Sequence, residues 1–321
     1  MCSAHPEEKK LFPPVEPYRR GVLPIGEGHK MYWEQTGNPE GFPALFLHGG
    51  PGAGSAPRDR QFFDPKHYRI ILFDQRGAGN SIPYASIFAN TTKHLIRDIE
   101  TLRQHLEIDR WLLFGGSWGA TLALAYGVQY PERCAGLVLR GIFLGSKSEI
   151  KWFLSKMGYI FPEAARKFYE FLPKNERKDL LENYYEKLVS SNEQIYGPAA
   201  TAWAAYENAC SRLVLTKKTS NAHKKMVNEL ALSRIEAHYF MANCFFPDNY
   251  LLDSICNLRH VPSIIVHGRY DIICPIQIAF NLSERWPEAK LVVIPDAGHS
   301  AMEPATRAAL VNATEKMKDY V

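Results

Sequence analysis

Trp111-Leu112-Leu113-Phe114-Gly115-Gly116-Ser117-Trp118-Gly119-Ala120-Thr121-Leu122-Ala123-Leu124-Ala125-Tyr126 is the stretch on which the fold turns. Residues 111–114 form a short apolar run with the length of a buried strand. Residues 119–130, rich in Ala and Leu and stopped by Pro131, read as a helix. Between them lies G-x-S-x-G, whose small residues let the chain turn sharply from strand to helix and hold a serine in a strained, exposed conformation. A Gly-rich strand end alone is common structural punctuation. Flanked in this way, it marks Ser117 as a candidate nucleophile.

Outward from this turn the same alternation continues. Residues 31–35, 44–47 and 69–73 are strand-like runs separated by Gly, Pro and Asn clusters. Residues 92–106 place Leu95, Ile99, Leu102 and Leu106 on one helical face, and 136–139 give another buried strand. From 145 to 255 no clear strand occurs, and amphipathic stretches such as 162–172 and 198–213 predict helices. Alternation resumes with a strand at 263–267, a helix at 276–285, a strand at 290–294 and a closing helix at 304–320. The expectation is an α/β fold: a mostly parallel sheet flanked by helices, built from residues 1–144 and 256–321, with a helical cap inserted over 145–255.

With 321 residues, 46% of them hydrophobic, the chain can bury a large core. The net charge of +4 is thinly spread without a basic run, so neither a nucleic-acid nor a membrane partner is expected. No apolar stretch near the start resembles a signal peptide, and none elsewhere could span a bilayer. The six cysteines (Cys2, Cys134, Cys210, Cys244, Cys256, Cys274) are scattered without CxxC spacing, which favours a reducing, cytoplasmic location. Asn90-Thr91-Thr92 matches a glycosylation sequon but reads as a polar turn before a helix.

A serine hydroxyl needs a base to take its proton, and that base needs a carboxylate to fix its tautomer. For a nucleophile on this kind of elbow the chain order is Ser, acid, His. Asp271 follows the strand at 263–267, and His299 follows the strand at 290–294, both in loops past strand C-termini. Taken singly, each would be an ordinary loop residue; two strand-end placements in the required order make them candidates. His48 precedes the nucleophile and reads as a shaper of its loop, His267 as a hydrogen-bonded core histidine. Asp296 lies close to His299 but off the acid's expected place. His48-Gly49-Gly50-Pro51-Gly52 follows a strand and suits an oxyanion hole, with the N–H groups of Gly50 and Trp118 as donors. A phosphate loop is the rival, but no Gly-Lys-Ser/Thr follows Gly54. Asp74 and Arg76 read as braces of the turn after a strand. Cys274, three residues from Asp271, is either a reactive thiol near the site or an inert buried one.

Together these residues resemble the prolyl aminopeptidase (proline iminopeptidase) family, serine peptidases of the α/β-hydrolase fold with a helical cap. The resemblance rests on His48 to Gly52, Asp74-Gln75-Arg76-Gly77, Gly115 to Gly119, Leu139-Arg140-Gly141-Ile142-Phe143, Gly268 to Asp271 and Gly298-His299, and runs from about Tyr18 onward. It implies release of N-terminal proline from peptides by Ser117, Asp271 and His299 through a prolyl-enzyme intermediate, with no cofactor. It also implies that two cap glutamates, Glu207 and Glu236, bind the free N-terminus, and that Phe143 and Phe153 line the proline pocket. Where the family has a Trp shortly before the first Glu, this chain has Tyr206. A prolyl secondary ammonium carries two N–H donors, so two carboxylates with aromatic cover suit it. Composition alone would make each Glu part of a solvated helix face. The fold also hosts esterases, carbon–carbon bond hydrolases and ligand receptors, which stay open as alternatives.

Overall fold

The computed structural model describes residues 10–214 and 222–321, the side chains of 222–228 excepted; Cys2 lies outside them. Its framework is one eight-stranded sheet in the order β1-β2-β4-β3-β5-β6-β7-β8. The strands are β1 (Arg19–Pro24), β2 (Lys30–Gly37), β3 (Phe42–Leu47), β4 (Tyr68–Phe73), β5 (Trp111–Ser117), β6 (Cys134–Ile142), β7 (Ser263–Gly268) and β8 (Lys290–Ile294). β1 and β2 run antiparallel to their neighbours, whereas every pairing from β4 through β8 is parallel. The mostly parallel sheet follows the predicted alternation. β1 was not anticipated, because an edge strand reading Arg-Arg-Gly-Val-Leu-Pro buries too little to leave an apolar pattern.

The sheet separates two apolar layers, and the period-2 alternation of side chains feeds both. Ala44, Phe46, Ile70, Leu72, Leu112, Phe114, Val138 and Val266 enter one layer with the helix α10 (Pro304–Met317). Leu45, Leu47, Ile71, Phe73, Leu113, Leu137, Leu139 and Ile265 enter the other, with α1 (Thr92–His105) and α2 (Trp118–Gln129). Residues 118–128 of α2 are all buried. A helix apolar on every side belongs at the centre of the molecule. Asn90 is also buried, its amide donating to the Arg76 and Ser86 carbonyls, and Thr91 caps α1. The sequon is therefore a turn before a helix.

Between β6 and β7 the described residues form helices and no strand: α3 (Lys147–Lys151), α4 (Pro162–Phe171), α5 (Leu180–Leu188), α6 (Glu193–Cys210), α7 (Ala222–Met241) and α8 (Tyr250–Ser254). This is the helical cap. α6 begins five residues before the predicted start and carries Pro198 inside it. The Asn192 side chain accepts from Gln194 N at 3.0 Å and starts the helix earlier, so Pro198 removes one hydrogen bond near the N-terminal end rather than opening the helix. The last helices are α9 (Ile276–Arg285) and α10, which ends at Met317, short of the expected 320. Among the described residues no helix is long and apolar enough to cross a membrane.

Candidate functional site

Parallel strands end on the same side of a sheet, so the loops after β3, β5, β6, β7 and β8 converge. They carry Gly49 and Gly50, Ser117, Phe143, Asp271 and His299 respectively. Ser117 is the residue at the turn, with φ 57° and ψ −125°, left-handed backbone that a non-glycine residue enters only when its surroundings impose it. Glycine neighbours make the turn possible. A Cβ at Gly119 would collide with the Leu47 carbonyl, and one at Gly115 with the Gly119 carbonyl. Opposite the turn, the β5–β6 register shifts so that Ser117 faces Ile142, and Gly141 takes φ 56°.

Asp271 and His299 meet. His299 Nδ1 lies 2.7 Å from Asp271 Oδ2, and Cys274 N donates to Asp271 Oδ1 at 2.8 Å. Burial pushes the Asp271 carboxyl up, but the charge and hydrogen bond of His299, together with His267 and the Cys274 N–H, more than offset it and leave it below the usual carboxylate range. His299 Nε2, the atom that would face the nucleophile, contacts Arg140 Nη1 at 2.9 Å. Among the described residues it makes no hydrogen bond to Ser117, whose hydroxyl instead neighbours the Cys274 thiol. Unliganded sites commonly leave this bond unmade until substrate arrives. Burial and the Asp271 charge drive the Cys274 thiol well up, so it is no ready thiolate.

His267 is a core histidine: Nδ1 accepts from Ile142 N at 3.2 Å, and Nε2 contacts the Cys274 carbonyl at 2.8 Å. His48 shapes its loop, its Nε2 accepting from Gln75 N at 2.9 Å. Gln75, within the Asp74-Gln75-Arg76-Gly77 motif, ties three pieces together. Its amide donates to the His48 carbonyl at 2.9 Å, and its Oε1 accepts from Trp118 Nε1 at 2.8 Å. The flanking Asp74 accepts from Ser55 and Asn80, and Arg76 pairs with Asp98 at 2.6 Å, so both brace the turn. Gly50 has φ 108°, and the chain at Gly49 passes close enough to Ser117 that an added Cβ would touch the serine Cβ at 3.7 Å. The Gly49–Gly50 segment thus passes beside the serine.

The cap closes over these loops. A Cβ at Gly52 would meet the Ala231 carbonyl of α7 at 2.5 Å, and one at Gly50 would meet Leu232 Cδ1 at 3.2 Å. Only glycine lets α7 approach so closely. At the other side, Ser300 N donates to the Ser211 carbonyl just past α6 at 2.9 Å, and Leu213 N donates to Glu303 Oε1 at 2.7 Å. α6 therefore reaches the His299 loop and α7 the Gly50 loop. Glu207 lies on α6 and Glu236 on α7, near enough that the Glu207 charge opposes ionisation of Glu236. Burial raises the Glu207 carboxyl to about 7. Burial and the Glu207 charge raise Glu236 well above its ordinary value, against a hydrogen bond from Trp203 Nε1 at 2.5 Å. Glu207 Oε2 is buried and unpartnered among the described residues.

An aromatic wall adjoins the two acids. Phe153 packs at ring-centroid distances of 5.7 Å from Trp203, 5.6 Å from Tyr206 and 5.3 Å from Phe240, and Phe143 lies 6.1 Å from Phe240. Trp203 and Phe240 were not singled out from sequence. The available signal was helical spacing: Trp203 precedes Glu207, and Phe240 follows Glu236, by four residues. Trp203 puts its indole N–H on Glu236, in the stretch where Tyr206 stands in the place of the family's Trp.

Among the described residues one group could offer three metal ligands: Asp271, Cys274 and His299 have atoms within 4.8 Å of one another. Asp271 and His299 are already bonded to each other, and the Arg140 cation stands against the imidazole. A metal would have to displace both.

Residues 43–306 match the profile of the alpha/beta hydrolase fold family. The solved structure of an esterase from Exiguobacterium antarcticum superposes with a TM-score of 0.61 at 18% identity, covering 92% of this chain and 98% of that one, a likeness of fold. The proline iminopeptidase of Arabidopsis thaliana is 49% identical over 314 residues, covering 97% of this chain and 83% of that protein. The proline iminopeptidase of Xylella fastidiosa strain 9a5c is 45% identical over 309 residues, covering 96% and 99%. At this identity over nearly the whole length, the chain belongs to the proline iminopeptidase family of the α/β-hydrolase fold.

Proposed function

We propose that this chain is a serine aminopeptidase that releases N-terminal proline from peptides, with Ser117 as nucleophile, His299 as general base and Asp271 as the acid that orients it. The observation that carries the reading is a pair of carboxylates raised by burial, Glu207 and Glu236, beside an aromatic wall and on the two cap helices that come down on the loops of His299 and Gly50. Two buried acids that resist ionising together form a receptor for a cation. A prolyl ammonium places one N–H on each carboxylate while Phe143 and Phe153 cover the ring. An acylated N-terminus brings no charge, so the acids select free termini.

With the ring seated, Ser117 Oγ attacks the prolyl carbonyl as His299 Nε2 takes its proton, and the Gly50 and Trp118 N–H groups hold the oxyanion. His299 returns the proton to the departing amine. Water then opens the prolyl-enzyme ester by the reverse route. No step calls for a metal or organic cofactor. Residues 145–255 act as the cap that presents the acids, and residues 1–144 with 256–321 as the body that performs the chemistry. The free thiols of Cys134, Cys210, Cys244, Cys256 and Cys274 support a reducing, cytoplasmic setting.

The test is a panel of aminoacyl-arylamides with Ser117→Ala as control. Prolyl-arylamide should be cleaved far faster than its N-acetylated form, and Ser117→Ala should abolish turnover. Equal cleavage of the acetylated substrate would refute the role of the acids, and turnover by Ser117→Ala would refute the nucleophile.

A further inference from the structure

Arg140 lies on β6, one residue from the bend at Gly141, and its guanidinium packs against Gly116, leaving no room there for a Cβ. Its Nη1 reaches two atoms of one residue: His299 Nε2 at 2.9 Å and the His299 carbonyl at 3.0 Å. Its Nε is buried with no partner among the described residues. Guanidinium is only a donor, so Nε2 accepts this bond and the imidazole proton sits on Nδ1, against Asp271. That is the tautomer a general base needs. Yet the lone pair that must take the serine proton is already in use.

We propose that Arg140 is a positioning residue that holds His299 in a resting orientation, with Nε2 occupied, until substrate draws Ser117 Oγ onto that atom. The two arrangements exclude each other. Once Nε2 has taken a proton it presents N–H to N–H across the same 2.9 Å, so Arg140 must withdraw for His299 to work. The fold links this to substrate. Glu207 lies one turn before Ser211, whose carbonyl is bonded to the N–H of Ser300, the residue after His299. Gly298, on the other side of His299, donates to Glu303 at 2.5 Å, and Glu303 holds Leu213. A cation seated on Glu207 thus acts on a segment that grips the His299 loop from both sides, while the unpartnered Arg140 Nε makes the resting contact incomplete.

This inference rests on the proposed roles of Ser117 and His299, and the experiment separates the two. A small alkyl fluorophosphonate has neither an ammonium nor a proline ring, so it meets the resting site without loading the acids. Its rate of covalent attachment, mapped to Ser117 by mass spectrometry, is compared in wild type and Arg140→Met. Freeing Nε2 from a charge-assisted bond should speed labelling about tenfold or more. Equal or slower labelling of folded Arg140→Met overturns the proposal. If that variant does not fold, the crystal structure of the wild-type Ser117 adduct with a prolyl phosphonate decides: Nη1 withdrawn from Nε2 supports the proposal, and Nη1 still on it overturns it. Absence of labelling at Ser117 in the wild type refutes the nucleophile itself, and the inference with it.

Discussion

Replacing Glu207 with Gln should make the protein more stable and the enzyme worse. Burial lifts this carboxyl from its ordinary 4.5 to about 7. Holding it ionised in the folded protein therefore costs roughly 3 kcal/mol relative to the unfolded chain. The side chain is partly open to solvent, and screening reduces the figure to about 2 kcal/mol. Because the folded-state value is the higher one, the stability tied to the bound proton is present in full below pH 4.5 and is lost as pH rises through about 7. Gln is never ionised. Glu207→Gln should thus gain about 2 kcal/mol at pH 8, roughly 3 °C in Tm for a chain of this size, and nothing below pH 4.5. Removing the charge also lets Glu236 ionise more readily, since the Glu207 charge is one of the causes holding it up. Against this, the ammonium loses one charge-assisted bond of about 1.5–3 kcal/mol, so kcat/KM for prolyl-arylamide should fall roughly 10- to 100-fold. Thermal melts at pH 4 and pH 8, with steady-state kinetics at pH 8, test both signs. A variant less stable than wild type at pH 8, or one with unchanged kcat/KM, would contradict this account of Glu207.

Gly141→Ala should lower kcat at least tenfold with little change in KM. Its backbone is left-handed, and the new methyl would press on His299 Cε1 at 3.0 Å, His299 Nδ1 at 3.1 Å and Asp271 Oδ2 at 3.2 Å; pre-steady-state kinetics reads the loss, and an unchanged kcat would contradict it. Gln75→Ala removes the amide that joins the His48 loop to Trp118 and leaves buried partners unpaired, at a cost of about 1–3 kcal/mol in urea-induced unfolding. Its kcat should fall as the Gly50 donor loosens. Full retention of both stability and kcat would show that the loop stands without it.

Much of the candidate site was legible in the sequence because its parts are local. The elbow at Ser117 needs only glycines at fixed offsets between an apolar run and a helix, and Asp271 and His299 follow strands whose apolar runs are plain. β1 was hidden, because an exposed edge strand needs no apolar pattern. The start of α6 was misplaced because Pro198 is a strong local signal, and the Asn192 cap that overrides it is a weak one. Trp203, Gln75 and Arg140 stayed unassigned for a different reason. Each acts through a partner far along the chain: Glu236 by 33 residues, Trp118 by 43 and His299 by 159.

The strand–helix alternation from β2 onward, the elbow at Ser117 and the family could be read from the residues alone, since these depend on short-range pattern and on motif chemistry at fixed spacing. Which side chains share a volume is set by the folded arrangement. It brings Glu207 near Glu236 and shields both carboxyls from water, which raises both above their ordinary values. It brings α6 and α7 down onto the loops of His299 and Gly50, and sets Arg140, not Ser117, on His299 Nε2. Desolvation and through-space contact depend on the distance between groups that the chain separates by tens to hundreds of residues, a distance that exists only once the sheet has formed and the cap has closed over it.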